Sequence, residues 1–278
     1  MTRRVHTVLT IAGSDSGAGA GIQADLKTFA ALGVYGTSAI TAITAQNTRE
    51  VTQVLELSPG LVAAQIDAVV SDIGADATKT GMLATAEIIE TVAGKVREHD
   101  LQPLVVDPVM ISKSGDRLLL HDAVQAMREL LLPLATILTP NLPEAEILLG
   151  HHLASWDDIR DGALELVSMG AQAVVMKGGH REGPATDLFY DGHSFHEFTT
   201  ARVDTTDTHG TGCTFASAIA AGLAKKTDLR GAVALAKAYV TKSLQSAYPL
   251  GHGQGPVHHF HRFWQPRRYD ETYEPGGS

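Results

Sequence analysis

The sequence predicts a three-layer α/β fold, in which a mostly parallel sheet lies between two layers of helices. Short runs of β-branched residues, such as "VLTIAG" and "PLVVDPVM", alternate with segments whose apolar residues recur at helical spacing, such as "IQADLKTFAAL". This alternation is typical of parallel strands joined by helices. No internal repeat or long linker divides the chain, so we expect one domain over residues 1–264.

The predicted elements follow one another along the chain. The first strands and helices are read from "VLTIAG", "IQADLKTFAAL", "SAITAITAQ", "PGLVAAQIDAVVSDI", "ATKTGML", "AEIIETVAGKVREH" and "PLVVDPVM". The series continues through "ATILTPN", "PEAEILL", "IRDGALELVSM" and "AVVMKGG". "TDLFYDG" and "HSFHEFTT", joined around Asp191-Gly192, predict an antiparallel hairpin near one edge, and two helices follow it. Residues 265–278 lack periodicity, so a mobile tail is expected.

Composition narrows the class of protein. The chain has 22 basic and 31 acidic residues, a net charge of −9, and no basic block, which argues against a nucleic-acid partner. Its single cysteine, Cys213, cannot form an internal disulfide, and this fits a reducing compartment such as the cytoplasm. No apolar run is long enough to span a bilayer, so no membrane association is expected.

The segment "DTHGTGCTFASAIAAGLAKK", residues 207–226, places a glycine-rich turn before a helix. Gly210 and Gly212 leave the backbone open to a ligand, and the positive end of the helix dipole favours an anion there. We therefore predict a phosphate seat at residues 210–213, formed by Gly210, Thr211, Gly212 and Cys213. The alternative is a tight turn in which the small thiol of Cys213 only packs.

Polar residues follow several of the predicted strands. Gln46, Asp107, Asn141 and Lys177 each stand at a strand's carboxyl end, where ligands gather in open α/β sheets. Each alone could cap a helix or turn. Their shared edge of the sheet indicates a binding site instead.

Two of these positions have a second interpretation. Asn141 and Glu144 fit a capping box at the start of a helix. Glu144 and Asp107 could also hold the waters around a magnesium ion that bridges nucleotide phosphates, because hard cations prefer oxygen ligands. The cap and the metal role are compatible with each other.

The last long helix carries Lys237 on its apolar stripe with Val233, Val240 and Leu244. The lysine could snorkel to water, or it could reach nucleotide phosphate beside the preceding helix. The histidines of "GHGQGPVHHFHRF" suggest metal ligation, but their place among glycines near the terminus disfavours that interpretation.

The segment "GSDSGAGAG" contains Gly19-x-Gly21-x-x-Ala24, which formally fits a dinucleotide-binding fingerprint. The acidic residue expected about 20 positions later is missing, since that region offers only Glu50 beyond the strand end. A loop that admits a small substrate beside the backbone explains the glycines equally well.

Together these motifs resemble the bacterial hydroxymethylpyrimidine/phosphomethylpyrimidine kinases of thiamine biosynthesis, members of the ribokinase-like superfamily. The resemblance runs from "LTIAGSDSGAGAGIQADLKTFAALGVYG" through "KTGML", "VVDPVMISKSGD", "TPNLPEAEILL" and "THGTGCT" to "GHGQGPVHHFH". "GIQADLKTF" together with "THGTGCT" is its most specific part. Such enzymes transfer phosphate from ATP to 4-amino-5-hydroxymethyl-2-methylpyrimidine and then to its monophosphate.

The resemblance implies a role for each candidate residue. Gln46 would bind the pyrimidine edge, and Gly13, Ala20, Met82 and Val109 would form the ring pocket. Asp107 and Glu144 would serve Mg²⁺ and nucleotide, and Lys177, Thr211 and Lys237 would serve ATP. Cys213 takes the place of the catalytic aspartate of related sugar kinases, and at a helix N-terminus its thiol is expected to lose its proton more readily than a free one. Asp207, where the family often has Asn, adds negative charge near the expected phosphates.

Other functions remain as alternatives at this stage. A pyridoxal kinase, or an enzyme with both activities, is the nearest, because related enzymes accept a similar ring with a hydroxymethyl arm. A nicotinamide-dependent dehydrogenase and a non-catalytic ligand-binding protein are more distant. The sequence leaves the oligomeric state open, a homodimer included.

Overall fold

One sheet of nine strands runs through the part of the chain that the computed structural model describes, residues 5–110, 121–180 and 183–266. Its strands are β1 Thr7–Asp15, β2 Tyr35–Gln46, β3 Val51–Glu56, β4 Ala77–Thr80, β5 Leu104–Val106, β6 Ile137–Leu138, β7 Val174–Met176, β8 Ala185–Tyr190 and β9 Phe195–Thr200. The order across the sheet is β3-β2-β1-β4-β5-β6-β7-β8-β9. The strands from β2 to β7 in this order are parallel, whereas β3, β8 and β9 pair antiparallel with their neighbours. The mostly parallel sheet and the edge hairpin are confirmed.

Helices cover both faces of the sheet. They are α1 Gly21–Ala31, α2 Pro59–Asp72, α3 Ala86–Glu98, α4 His121–Ala126, α5 Leu142–Leu149, α6 Trp156–Ser168, α7 Thr211–Ala224 and α8 Leu229–Gln245. Alternate residues of β1 face opposite layers, since Leu9 and Ile11 pack with α2 to α6 while Val8 packs with α1, α7 and α8. The three-layer prediction is therefore confirmed. In the described residues, no helix has both the length and the apolarity that crossing a bilayer requires.

The helix starts differ in a way that bears on function. Ser58, Thr85, Asn141, Ser155 and Asp228 cap α2, α3, α5, α6 and α8 with side-chain oxygens, as their residue types favour. α1 begins after Ala20 and α7 after Gly210, and neither residue supplies a side-chain cap. Ala20, Gly21 and residues 210–213, at these two helix starts, line the cavity described below.

Two elements were not predicted. β3 is an edge strand whose residues are almost all exposed, so it lacks the buried alternation by which strands are recognised. The α4 segment continues as a π-turn and a 3₁₀ turn to Leu134, and Pro133 interrupts its helical period. The "SKSGD" segment and residues 267–278 lie outside the described residues, so the mobile tail stays a prediction for residues 267–278.

Candidate active site

A cleft with a cavity volume of about 160 Å³ opens at the carboxyl edge of the parallel strands. It gathers loop residues after β1, strand-end residues of β2, β4, β5, β6 and β7, and the start of α7, because parallel strands deliver their ends to one edge. All the predicted site residues except Lys237 line it: Gly13, Ala20, Gln46, Met82, Asp107, Val109, Glu144, Lys177, Gly210, Thr211, Gly212 and Cys213.

The glycine-rich turn lines this cleft and also a second cleft, which is described below. Gly210 adopts a left-handed conformation with φ of +78°, and a Cβ there would lie 1.8 Å from the carbonyl oxygen of Gly19. Only glycine allows both the conformation and the contact. A Cβ on Gly212 would lie 3.3 Å from Lys177 Nζ. The turn thus brings bare backbone beside an ammonium group, the arrangement that an anion requires.

Cys213 differs from its expected chemistry. It lines the cleft at the first turn of α7, close to the amide of Gly21 and to the ammonium group of Lys79. Burial nevertheless raises the pKa of the Cys213 thiol to about 11, against the opposing charge of Lys79. The expectation of a readily deprotonated thiol is therefore wrong for this structure. Loss of solvation for the thiolate outweighs the helix terminus and the nearby ammonium.

Asp107, Lys177 and Glu144 form a buried charge cluster behind the turn. Lys177 Nζ lies 3.1 Å from Asp107 Oδ1 and 3.9 Å from Glu144 Oε2. Burial alone would lower the pKa of Lys177, but the two carboxylates raise it. Lys177 is therefore a fixed cation, and it balances only part of the cluster's acidic charge when both carboxyls are ionised.

Glu144 forms the predicted capping box at the start of α5. Its backbone amide donates to Asn141 Oδ1 over 2.9 Å, and its Oε2 accepts from the Asn141 amide over 2.8 Å, which confirms the capping box. Burial raises the pKa of Glu144 to about 7, with Asp107 acting in the same direction. A divalent cation at the cluster would relieve that repulsion, so the residues fit the magnesium role proposed for them.

Lys237 lies in a second cleft that shares Asn141, Lys177, Thr211 and Gly212 with the first. Its Nζ donates to the Ala185 carbonyl over 2.8 Å and to Asp187 Oδ2 over 2.9 Å, and the residue is 9% exposed. The snorkelling interpretation is wrong, because Asp187 holds the ammonium inward. The two clefts meet at the glycine-rich turn.

The loop between β1 and α1 shapes the proposed ring pocket. Asp15 accepts hydrogen bonds from the amides of Gly17, Gly19 and Ala20 at 2.8, 3.0 and 2.8 Å. Although burial would raise the pKa of Asp15, the hydrogen bonds from His209 and these amides hold it below its usual value. Asp15 is thus an ionised clamp that fixes the loop carrying Ala20.

The fingerprint glycines have a packing explanation. A Cβ on Gly19 would lie 2.1 Å from His209 Cδ2, and one on Gly21 would lie 2.4 Å from the Gly13 carbonyl oxygen. The β1–α1 loop therefore needs these glycines to pack against the "THGTGC" turn and its own strand. This close packing accounts for the dinucleotide-like spacing.

The histidines near the C-terminus make structural contacts around α7 and α8. Thr214 Oγ1 lies 3.0 Å from His259 Nε2, and Tyr239 donates its hydroxyl hydrogen to the His259 carbonyl over 2.6 Å. Burial lowers the pKa of His259 to about 3, so this imidazole is neutral. Asp207 Oδ1 accepts from the Gly255 amide over 3.1 Å, which ties its extra charge to the same segment.

Sequence reasoning missed five charged or polar residues around the site: Asp15, Asp25, Lys79, Asp187 and His209. Asp15 and His209 stood inside quoted motifs, but only the fold shows that the two motifs touch. Lys79 and Asp25 are each entirely buried and pair with one another. A lysine in the "KTGML" strand and an aspartate on a buried helix face were signals that could have indicated such a pair.

Comparisons with known proteins agree with this geometry. The sequence matches the family described as phosphomethylpyrimidine kinase over residues 15–258. It is 52% identical over 261 residues to the hydroxymethylpyrimidine/phosphomethylpyrimidine kinase of Rhizobium meliloti, covering 92% of this chain and 98% of that protein. It is 51% identical over 254 residues to the thiamine biosynthesis bifunctional protein of Geobacter sulfurreducens, covering 91% of this chain but only 52% of that protein. Among solved structures, the pyridoxal kinase from Staphylococcus aureus in complex with AMP-PCP and pyridoxal superimposes with a TM-score of 0.85 at 40% identity, covering 94% of this chain and 96% of that chain.

Proposed function

The chain belongs to the phosphomethylpyrimidine kinase family, and from this membership we propose that it phosphorylates 4-amino-5-hydroxymethyl-2-methylpyrimidine and then the resulting monophosphate, with ATP as donor. The observation that carries the proposal is the glycine-rich turn where the two clefts meet, since it lines both. A group held over this turn can be approached by an acceptor from one side and by a nucleotide from the other.

The first cleft is suited to the aminopyrimidine. Gln46 offers a carboxamide with both donor and acceptor, which complements a ring nitrogen beside an exocyclic amine. Gly13, Ala20, Met82 and Val109 supply a narrow wall, and a Cβ on Gly13 would lie 3.3 Å from Met82 Sδ. The hydroxymethyl arm of a ring held here would extend toward the turn.

The second cleft is suited to nucleotide phosphates. Lys177, Thr211 and Lys237 line it, with the ammonium of Lys237 anchored by Asp187. Asp107 and Glu144 would hold magnesium-bound ATP at the junction, because their carboxylate oxygens are ligands that Mg²⁺ prefers. The ion would neutralise phosphate charge during transfer.

Phosphoryl transfer needs positioning and charge stabilisation more than covalent chemistry from the protein. The amides of residues 210–213 and the ammonium of Lys177 would supply most of this stabilisation. Cys213 would accept the proton of the attacking hydroxyl. Its thiol is neutral at neutral pH and a neutral thiol cannot take up that proton, so this role requires the bound substrates to favour the thiolate.

A pyridoxal kinase activity is the second candidate, because the solved structure cited above is a pyridoxal kinase. The test is an assay of the purified protein with magnesium, ATP and each alcohol in turn, following ADP and the phosphorylated product. We expect the aminopyrimidine and its monophosphate to have the higher kcat/KM. A higher value for pyridoxal would overturn the proposed substrate, and no ADP with either would overturn the kinase assignment.

The setting of the enzyme is also a proposal. The lone cysteine beside the reaction centre suits a reducing compartment, and we place the enzyme in the cytoplasm.

Ile43 and Leu55 face each other across β2 and β3 and are 47% and 61% exposed. This apolar pair supports a homodimer, which sedimentation of the purified chain would test.

A further inference from the structure

His209 joins the ring pocket to the phosphate turn. Its Nε2 lies 2.9 Å from Asp15 Oδ2 and 3.4 Å from Gln46 Nε2. Its backbone precedes Gly210 and is held by residues 255–257, since its amide donates to the Gly255 carbonyl over 3.0 Å and its carbonyl accepts from the Val257 amide over 3.3 Å. The imidazole is therefore fixed from both its backbone and its ring.

The proton on His209 Nε2 is assigned by its partner. Asp15 Oδ2 is a carboxylate oxygen and can only accept, so Nε2 must carry hydrogen to make the 2.9 Å contact attractive. Asp15 remains ionised, because the hydrogen bond from His209 and the loop amides lower its pKa against the effect of burial. The tautomer with a bare Nε2 would place a lone pair against this carboxylate.

This assignment leaves the Gln46 amide nitrogen without an acceptor on His209. Both nitrogens are donors, and the 3.4 Å between them is van der Waals contact. On the other side of the amide, Thr44 Oγ1 lies 3.1 Å from Gln46 Oε1 and 3.0 Å from the Ser14 carbonyl oxygen, so these two acceptors share the single Thr44 hydroxyl hydrogen. Among the described residues the amide nitrogen has no other polar neighbour at hydrogen-bonding distance, so its hydrogens are available to a ligand.

The same contact secures the loop that forms the opposite wall. Asp15 clamps the amides of Gly17, Gly19 and Ala20, and His209 supplies its fourth hydrogen bond. His209 also packs where Gly19 leaves no room for a Cβ. One imidazole therefore sets the distance between the Gln46 amide and the loop that carries Ala20.

We propose that His209 is the positioning residue for ring recognition, which keeps the Gln46 amide nitrogen free to donate to a ring nitrogen and holds the Asp15 loop against the other side of the ring. The inference rests on the proposed function, because it concerns how the pocket takes an aminopyrimidine. His209 acts through Gln46 and Asp15.

The test is a double-mutant cycle with His209→Ala, Gln46→Leu and the combined variant. For each, the KM of the aminopyrimidine, the KM of ATP and kcat are measured, and ring binding without nucleotide is measured by calorimetry. His209→Ala is expected to raise the aminopyrimidine KM about 10-fold, because one hydrogen-bonding arrangement is lost. The KM of ATP is expected to change less than about twofold, which is far below the ~10-fold change that 1.4 kcal/mol of binding free energy produces. His252→Ala, an exposed histidine on the same rim, is the matched control and is expected to leave both constants unchanged.

Non-additivity decides the proposal. In the Gln46→Leu background, the change at His209 is expected to add less than about threefold to the aminopyrimidine KM, because residues that act through one another do not add. Full additivity, or equal loss for ATP and ring, overturns it. If the wild-type protein turns over the aminopyrimidine but the effects of the two substitutions on its KM add, this inference is overturned and the proposed function stands. Wild-type protein that neither binds nor turns over that ring overturns the proposed function as well.

Discussion

Lys79 and Asp25 form a buried ion pair on the inner side of the cleft. Lys79 Nζ lies 3.1 and 3.0 Å from the two Asp25 oxygens, and both side chains are 0% exposed. Thr10 and Ser217 donate to the same carboxylate over 2.7 and 2.6 Å. Burial would lower the pKa of Lys79, yet Asp25 raises it. The pair and its two hydrogen-bond donors therefore tie β1, β4, α1 and α7 together close to Cys213.

Breaking this pair from one side is expected to destabilise the fold. Asp25→Ala leaves an unpaired ammonium in the core, which costs about 3–5 kcal/mol in comparable buried pairs. The double variant Asp25→Leu with Lys79→Met removes both charges and should recover much of the loss. Urea unfolding followed by circular dichroism measures the free energies. Equal unfolding free energies for wild type and Asp25→Ala would show that the pair does not stabilise the fold.

Gln46→Leu is expected to raise the KM of the aminopyrimidine about 10-fold or more, because an apolar side chain leaves a polar ring edge buried without partners. ATP use should stay comparatively intact. Steady-state kinetics with each substrate varied in turn provides the measurement. An equal rise of both Michaelis constants would indicate a misfolded site instead.

Lys237→Ala is expected to weaken nucleotide use, because it removes an ammonium that Asp187 holds at the wall of the second cleft. A rise of about 10-fold in the KM of ATP corresponds to one lost charge-assisted contact. Lys242→Ala changes an exposed lysine of the same helix and is the control. Unchanged ATP dependence in Lys237→Ala would return this lysine to a structural role.

Glu144→Gln is expected to shift the magnesium requirement upward, since an amide oxygen is a weaker ligand for a hard cation than a carboxylate. The Asn141 cap can persist, because a glutamine oxygen also accepts from the Asn141 amide. Activity is titrated with magnesium at fixed ATP, and thermal unfolding checks the cap. A magnesium curve that superimposes on the wild type would leave Glu144 with the cap alone.

The pKa of Cys213 gives a pH prediction with a defined direction. A folded-state pKa near 11, above the usual value of 9.0, means that the thiol stays protonated through neutral pH and ionises only in strong base. The rate of alkylation by iodoacetamide should therefore rise with pH well beyond 9, and the chain's single cysteine makes the readout specific. The same shift makes unfolding easier as pH rises from about 9 toward 11, because the unfolded thiol ionises first.

If Cys213 is also the general base, Cys213→Ala should lower turnover within the ~10²- to 10⁴-fold range usual for such groups, with substrate affinities nearly kept. Cys213→Ser should restore little, because a hydroxyl is a far poorer base. Single-turnover rates against pH test this directly. The wild-type rate should climb toward high pH, and that climb should vanish in the alanine variant. Identical pH profiles for wild type and Cys213→Ala would show that Cys213 is not the general base and that its thiol has only a packing role.

The local sequence pattern predicted the sheet and the edge at which the candidate site lies, because parallel strands joined by helices all end at the same edge of a sheet. Gln46, Asp107 and Lys177 were found for that reason. His209 and Asp15 escaped, because their contact joins residues separated by 194 positions and depends on how two loops pack. The acidity of Cys213 was mispredicted for a related reason: helix position is visible in a sequence, whereas desolvation is a property of the assembled cleft.

The backbone hydrogen bonds between His209 and residues 255–257 join two parts of the chain that are synthesised at different times. The strands, the β1–α1 loop and the phosphate turn all leave the ribosome before Gly255 and Val257, which hold the His209 backbone through hydrogen bonds. A nascent chain halted after α8 already contains all the strands of the sheet and the helices α7 and α8. It would still lack the hydrogen bonds that hold the His209 backbone, so ring binding is expected to become possible only after residues 255–257 have been translated.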